Sequence, residues 1–516
     1  MRGALDCWRR RIIIPNSGQQ RSPDLGRRAP LIVRYTLASA VGSHCAPMGR
    51  VAGWQGFLHG LNSAPLGGLA RVRESQGLVR NEYDAVGELT MEVLMQDGQQ
   101  LESVKERWVW VFLPIWSGQA LSLLGSQIAQ FALIWWLTQT TGSGTVLAIA
   151  AGVGLLPGVL LGPVAGALVD RWNRRRVMIV ADALSAIAAA VLAGLAWAGV
   201  LEIWHVYLVM FVRSIAGTFH FPAMQASTSL MVPHDQLSRV AGLNQMLQGA
   251  MNIIAPPVGA LLLLSLPLPS MLMIDVITAA VAITPLLFVH IPQPQRATQP
   301  GEQPNMATDL REGLAYVWRW VGMRYILVMS ALSNFLLMPA MSLLPLLVIR
   351  HFRGGALELS YISAAWWLGI LIGGVLLSIW GSLRRRVLVA IYALIVMGLA
   401  LLVPGLAPSS GLYMAVAGLL LAGVLNSICN GLLFATLQSI IPPEMQGRVF
   451  TIIGSAAMAM MPLGLAVAGP LSDQLGVQFW FALGGAACML MGIVALMTPA
   501  VIRMEEQRVS VAAMAG

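Results

Sequence analysis

Asp170 and the arginines Arg171, Arg174 and Arg175 lie in the stretch GPVAGALVDRWNRRRV, Gly162 to Val177, a charged turn between two apolar runs. Arg213, Asp275 and Asp182 stand inside such runs, and His220 follows Arg213 by two helical turns on the same face. Carboxylates and guanidinium groups kept from water can pair, exchange partners, or take up and release protons. Neutral polar residues recur at helical spacing as well: Gln119, Ser122, Ser126 and Gln130 in one run, Asn244, Gln248 and Asn252 in another, Asn334 in a third, Asn426 and Asn430 in a fourth. Side chains of this kind line cavities or tie helices together.

Other chemistries leave no trace. The only lysine is Lys105, so no Walker-type phosphate loop can exist, and neither a Gly-x-Ser-x-Gly elbow nor a His-Glu-x-x-His helix is present. Cys7, Cys45, Cys429 and Cys488 have no metal-ligand spacing. We therefore expect no catalytic residues, no metal site and no cofactor.

The elements that position the charged residues follow from hydropathy. Apolar residues make up 57% of 516 positions and charged residues 11%, and the mean hydropathy is +0.72. Such a chain has the lipid bilayer as its main solvent. The net charge of +9 comes from short arginine clusters beside apolar runs, which speaks for membrane topology and against nucleic acid. Twelve spans of about 20 residues are expected, near 108–137, 145–169, 177–198, 204–231, 240–264, 268–291, 325–349, 357–380, 387–405, 411–440, 449–471 and 478–499. Arg213 then lies about nine residues into the fourth, roughly 13 Å deep at 1.5 Å per residue, close to the midplane. Asp275 is in the outer half of the sixth, and Asp182 is shallower, within reach of the interface.

Residues 1–94 carry twelve arginines and seven acids without periodicity. They read as a basic extension of low order or as upstream translated sequence, with the working protein beginning at Met91 or Met95 and 95–107 as a short lead. Residues 108–291 form the first six-span bundle and 325–499 the second. Between them, 292–324 is a linker whose Asp309–Trp320 stretch is amphipathic, with Leu310, Leu314 and Val317 on one face and Asp309 and Glu312 as a capping box. Residues 500–516 are a tail. The halves echo each other: MVPHDQLSRV, Met231 to Val240, aligns with IIPPEMQGRV, Ile440 to Val449, at a spacing of 209 residues, and the arginine block repeats from Arg174 to Arg384 at 210. Two coincident offsets argue for a duplicated six-helix unit. The arginines fall in alternate loops, with only Arg350 and Arg353 on the other side, so the positive-inside rule puts both termini in the cytoplasm.

The glycine, Asp-Arg pair and basic block of Gly162, Gly166, Asp170, Arg171, Arg174 and Arg175 resemble the loop signature of the major facilitator superfamily, with Asn173 where the turn glycine stands. Asn tolerates the left-handed turn such a position would need. Together with the duplication, the resemblance covers Trp108 to Pro499 and implies an all-α membrane protein, twelve transmembrane helices in two pseudo-symmetric six-helix bundles. It also implies that Asp170 latches onto the start of the eleventh span near Arg448 when the cytoplasmic side closes. The second copy has Trp380 in place of the acid. Arg213 with Gly217 resembles the fourth-helix pattern linked to proton coupling, for which Asp275, His220 and Asp182 are further candidates. Ala255, Pro256, Pro257 and Gly259 match the antiporter motif of the fifth span only in part.

The segments SGQALSLLGSQIAQFALIWWLTQTTGSGT, FPAMQAS and MIDVITA are similar to the drug-efflux branch that includes macrolide and enterobactin exporters. A monomeric plasma-membrane transporter exchanging protons for a drug-like amphipathic small molecule is the function this implies. A lysophospholipid or siderophore transporter of the same fold is the alternative; a non-transporting scaffold or membrane enzyme would need neither Asp170 nor Arg213.

Overall fold

Among the described residues of the computed structural model, twelve helices are long and apolar enough to cross a membrane, and the side chains they turn outward explain why. Leu160, Val180, Ile187, Phe288 and Met497 are all well exposed, an arrangement that water would penalise and lipid chains satisfy. The structure describes residues 108–289, 291, 306–380 and 385–505. The extension, the lead, residues 292–305, Arg384 and the tail after 505 lie outside the described residues, as does any comparison of Met91 with Met95 as a start.

The first six spans are α1 (Trp108–Thr141), α2 (Gly144–Val169), α3 (Arg174–Trp197), α4 (Ile203–Met231), α5 (Leu237–Leu263) and α6 (Leu268–Phe288). A shorter helix, α7 (Met306–Arg319), precedes the second six: α8 (Val321–Ser342) with its short continuation α9 (Leu344–Arg350), then α10 (Ala356–Trp380), α11 (Arg386–Leu406), α12 (Leu412–Ile440), α13 (Pro443–Leu475) and α14 (Val477–Met497).

Local chemistry sets the boundaries. Gly142, at φ +59°, makes the left-handed turn after α1, and Ser143 caps α2 by accepting from the Val146 N–H. Asn173 does not adopt the left-handed turn expected of it. At φ −71° and ψ 108° it is the N-cap of α3, its side chain accepting from the Arg176 N–H, so the residue serves as a cap rather than as a glycine substitute. The seventh span is broken where a single helix was expected, because Leu343 leaves the helix and Pro345 starts α9 in its first turn. At 33 residues, α13 exceeds the expected span at both ends. In α7, Val317 is fully buried with Met323, Val387 and Val449 of the second bundle, whereas Leu314 is exposed, so the two do not share a buried face.

Close approach in the second bundle depends on missing side chains: a Cβ at Gly369 would meet the Leu420 carbonyl and one at Gly423 the Trp366 carbonyl. Between bundles, α2 packs on α13 and α5 on α10. The 210-residue repeat maps α2 onto α10 and α5 onto α13, so these two seams are one contact seen twice about a pseudo-two-fold axis.

Candidate functional site

The polar residues of the first bundle converge on one cavity. At Gly125, α6 approaches α1 so closely that a Cβ would meet the Thr278 hydroxyl. This brings Ser126 against Asp275, to whose Oδ1 its hydroxyl donates at 2.8 Å. The other oxygen, Oδ2, pairs with Nη1 of Arg213 from α4. The Asp275 side chain is 2% exposed and that of Arg213 13%. Both carboxylate oxygens are thus taken, one by a charge and one by a hydroxyl, as a buried charge requires.

A second carboxylate shares this wall. Gln119 Nε2 donates to Asp182 Oδ2 at 2.8 Å, and His220 Nε2 lies 3.3 Å from Oδ1 without good hydrogen-bond alignment. Asp182 is therefore buried inside the bundle and does not reach the interface as expected, because α3 turns it toward α1 and α4. The cavity holds about 400 Å³ and is lined by Gln119, Ser122, Ser126, Asp182, Arg213, His220, Asn244 and Gln248. Trp116 Nε1 donates to Asn244 Oδ1 at 2.7 Å on its rim. Two expected wall residues lie elsewhere. Asn252 accepts from Gln127 Nε2 at 3.2 Å and ties α5 to α1. Gln130 is not among the lining residues; it precedes Phe131, which packs on Gly259 where α1 and α5 meet.

The second bundle offers a different wall. A cavity of about 460 Å³ is lined by Asn334, Asn426 and Asn430 with Met338, Met341, Met397, Trp366 and Trp367, and among the described residues no charged side chain lines it. Of the two cavities, the first thus carries the charge and the second adaptable apolar surface.

The two ends of the inter-bundle seam differ. At the arginine-rich end, Asp170 is 72% exposed and pairs with Arg174 of its own turn at 3.6 Å, so the expected contact with Arg448 is not made in this state. Arg174 also donates to the Ala226 carbonyl and Arg175 to those of Leu286 and Leu287. These arginines fasten α3 to α4 and α6 of the same bundle, while Arg171 is exposed. A Cβ at Gly162, Gly166 or Gly447 would meet nothing within 4 Å. The seam is open there.

At the opposite end it is shut by residues that sequence reasoning passed over. Asp473, near the end of α13, accepts from the Gly144 N–H at 2.7 Å, the Thr145 N–H at 3.0 Å, the Thr145 hydroxyl at 2.7 Å and the Ser143 hydroxyl at 2.9 Å. Arg350 Nη1 lies 3.8 Å from the same carboxylate. A carboxylate from one bundle thus caps the first turn of α2 in the other. Gly469 allows this contact: its Cβ would sit 2.8 Å from that of Ala148. The available signal was an isolated acid at a helix end on the side holding only two arginines.

A helical bundle pair with a charged cavity, an uncharged partner cavity and a seam closed at one end has the form of a carrier. The family model for the Major Facilitator Superfamily matches residues 115–465. The chain belongs to that superfamily. This member is 37% identical to macrolide efflux protein A of Streptococcus pyogenes over 387 residues, 75% of this chain and 95% of that protein. It is 27% identical to the multidrug efflux pump Tap of Mycolicibacterium fortuitum over 390 residues, 73% and 92% of the two chains. Among solved structures, a bacterial homologue of the iron transporter ferroportin in an inward-facing state superposes with a TM-score of 0.59 at 18% identity, covering 77% of this chain and 99% of that one. A bacterial homologue of the lysosomal transporter Spinster, inward-facing and unoccupied, gives 0.55 at 14% identity, with 79% and 98% covered. At these identities the two structures speak for the fold alone. The superfamily member is a multi-pass membrane transporter of small molecules rather than an enzyme.

Proposed function

We propose that this transporter exports a bulky amphipathic, drug-like molecule in exchange for protons, by alternating access of a central site to the two sides of the membrane. The observation that carries the reading is the buried Arg213–Asp275 pair, whose arginine lines the charged cavity with Asp275 behind it, while the cavity of the other bundle has no charged side chain among its described lining residues. The uncharged methionine and tryptophan wall suits the apolar body of varied substrates. Proton uptake by Asp275 would neutralise its side of the pair and leave Arg213 to find another partner, changing how α4 and α6 hold together. Asp182, with Gln119 and His220, is the second group in reach of the substrate.

The arginine distribution supports cytoplasmic termini, which makes the open end of the seam cytoplasmic and the Asp473 contact the outer closure. The opposite state would release Asp473 and bring Asp170 to the start of α13 near Arg448. The efflux names of the two relatives support export of a macrolide or a similar drug. Proteoliposomes with an imposed pH gradient test the coupling. Wild-type protein is expected to show macrolide-dependent proton flux that Asp275→Asn and Arg213→Ala abolish. Unchanged flux in both variants would reject the assignment.

A further inference from the structure

Two observations outside the transport cavities meet at the start of α3. The first is an apolar groove of about 340 Å³ between α3 and α4, lined by Trp172, Val180, Leu184, Ile215 and Phe219 with a single charged residue, Arg176. Val180 and Leu184 present exposed surface to it, and Trp172 stacks on Phe219 with ring centroids 5.9 Å apart. The second is how the arginine block is used. Arg174 and Arg175 are held by backbone carbonyls of α4 and α6. Arg176 is exposed, and among the described residues its guanidinium makes no hydrogen bond or ion pair, its backbone N–H alone donating, to Asn173.

We propose that this groove is a binding site for an anionic phospholipid, with one acyl chain along Val180, Leu184 and Ile215 and the phosphate on Arg176. The argument rests on charge complementarity: among the described residues the one charged lining residue is a cation and no acid lines the groove, and a guanidinium matches a phosphate with two parallel hydrogen bonds. In a bilayer every apolar surface meets acyl chains, so filling the groove contributes little selectivity. The arginine at the lipid headgroup level supplies it, and Trp172 beside it is an interfacial residue of the kind that settles there. Ala181 and Ala216 line both this groove and the cavity that holds Asp182 and Arg213. The chain is thus one pair of alanine side chains away from the coupling groups. Lipid occupancy supports the spacing of α3 and α4 at that point. The site does not depend on the proposed transport reaction; only its assignment to the cytoplasmic leaflet uses the orientation given above.

Native mass spectrometry of the purified full chain, with phosphatidylglycerol and phosphatidylcholine of the same chains offered at equal amounts, tests it. Wild-type protein is expected to retain phosphatidylglycerol about fivefold better, the factor expected for one arginine near an anionic headgroup. Arg176→Gln is expected to lose the preference, Arg176→Lys to keep part of it, and Arg353→Gln, at the other end of the molecule, to keep all of it. Val180→Trp together with Leu184→Trp should fill the groove and reduce retention of both lipids. A preference that survives Arg176→Gln, or falls equally in Arg353→Gln, would overturn the site. Displacement of the retained phosphatidylglycerol by erythromycin would overturn it as well, since the groove would then belong to the transported molecule. Lipid retention needs no proton flux, so failure here is distinguishable from failure of the transport reading.

Discussion

Arg213 on α4 and Asp275 on α6 form an ion pair that neither helix could make alone, with Ser126 of α1 holding the second carboxylate oxygen. A buried pair is costly to break from one side, because the survivor keeps its charge without a partner. We expect Arg213→Ala and Asp275→Asn each to abolish macrolide-driven proton flux. Arg213→Ala, which leaves the carboxylate uncompensated, should destabilise the folded protein by about 3–5 kcal/mol. The double variant Arg213→Ala/Asp275→Ala should be more stable than the single Arg213→Ala. Thermal unfolding in detergent reads this; additive losses would mean that the two side chains are not coupled.

The Asp473 cap on α2 predicts a conformational bias. Asp473→Ala removes four hydrogen bonds to a carboxylate at the closed end of the seam. Partial exposure, 27% for the Asp473 side chain, moderates the loss. A shift of about tenfold toward the state open at that end is expected. Spin-label distances between the first turn of α2 and the last turn of α13 should lengthen; an unchanged distribution would remove the latch role.

Glycines at the two ends should answer differently to the same change. Gly166 has free space around its missing Cβ in this state, so Gly166→Val should fold and insert normally yet fail to close the arginine-rich end, and efflux should be lost. Gly469 is already in contact with α2, so Gly469→Val should pry open the opposite end. Asp170→Asn belongs with Gly166→Val: insertion kept, efflux reduced. Failure of Asp170→Asn to insert would instead make the loop a topology determinant.

The uncharged cavity predicts a specificity effect separate from coupling. Trp366→Ala and Met341→Ala remove apolar wall from the second bundle. They should raise KM for a bulky macrolide several-fold, about 1 kcal/mol of lost contact, without altering proton flux per molecule carried. A fall in kcat with KM unchanged would place these residues in the switching step.

Much of the architecture was legible because the bilayer imposes one rule on every span. Backbone groups must bond within the segment, so an apolar run of sufficient length between charged turns becomes a helix whatever its neighbours are. The breaks were less legible. Proline and glycine occur throughout these helices, and only packing decides that Pro345 starts a new helix while Pro256 and Pro257 sit inside one. Intramembrane charge marked Arg213, Asp275, Asp182 and His220 as candidates, but helical spacing could not say which of them meet. Asp473 escaped notice because a carboxylate near a helix end has an ordinary solvated explanation, and its partners lie about 330 residues away.

By itself, then, the amino-acid sequence determined the twelve-span plan, its duplication and the inventory of intramembrane charge, since hydropathy and repeat spacing are properties of the chain alone. Only the tertiary structure decided the pairing of Arg213 with Asp275, the burial of Asp182, and which end of the seam is shut. Those outcomes depend on how helices far apart in the chain rotate and approach one another, and glycines such as Gly125 and Gly469 set that approach.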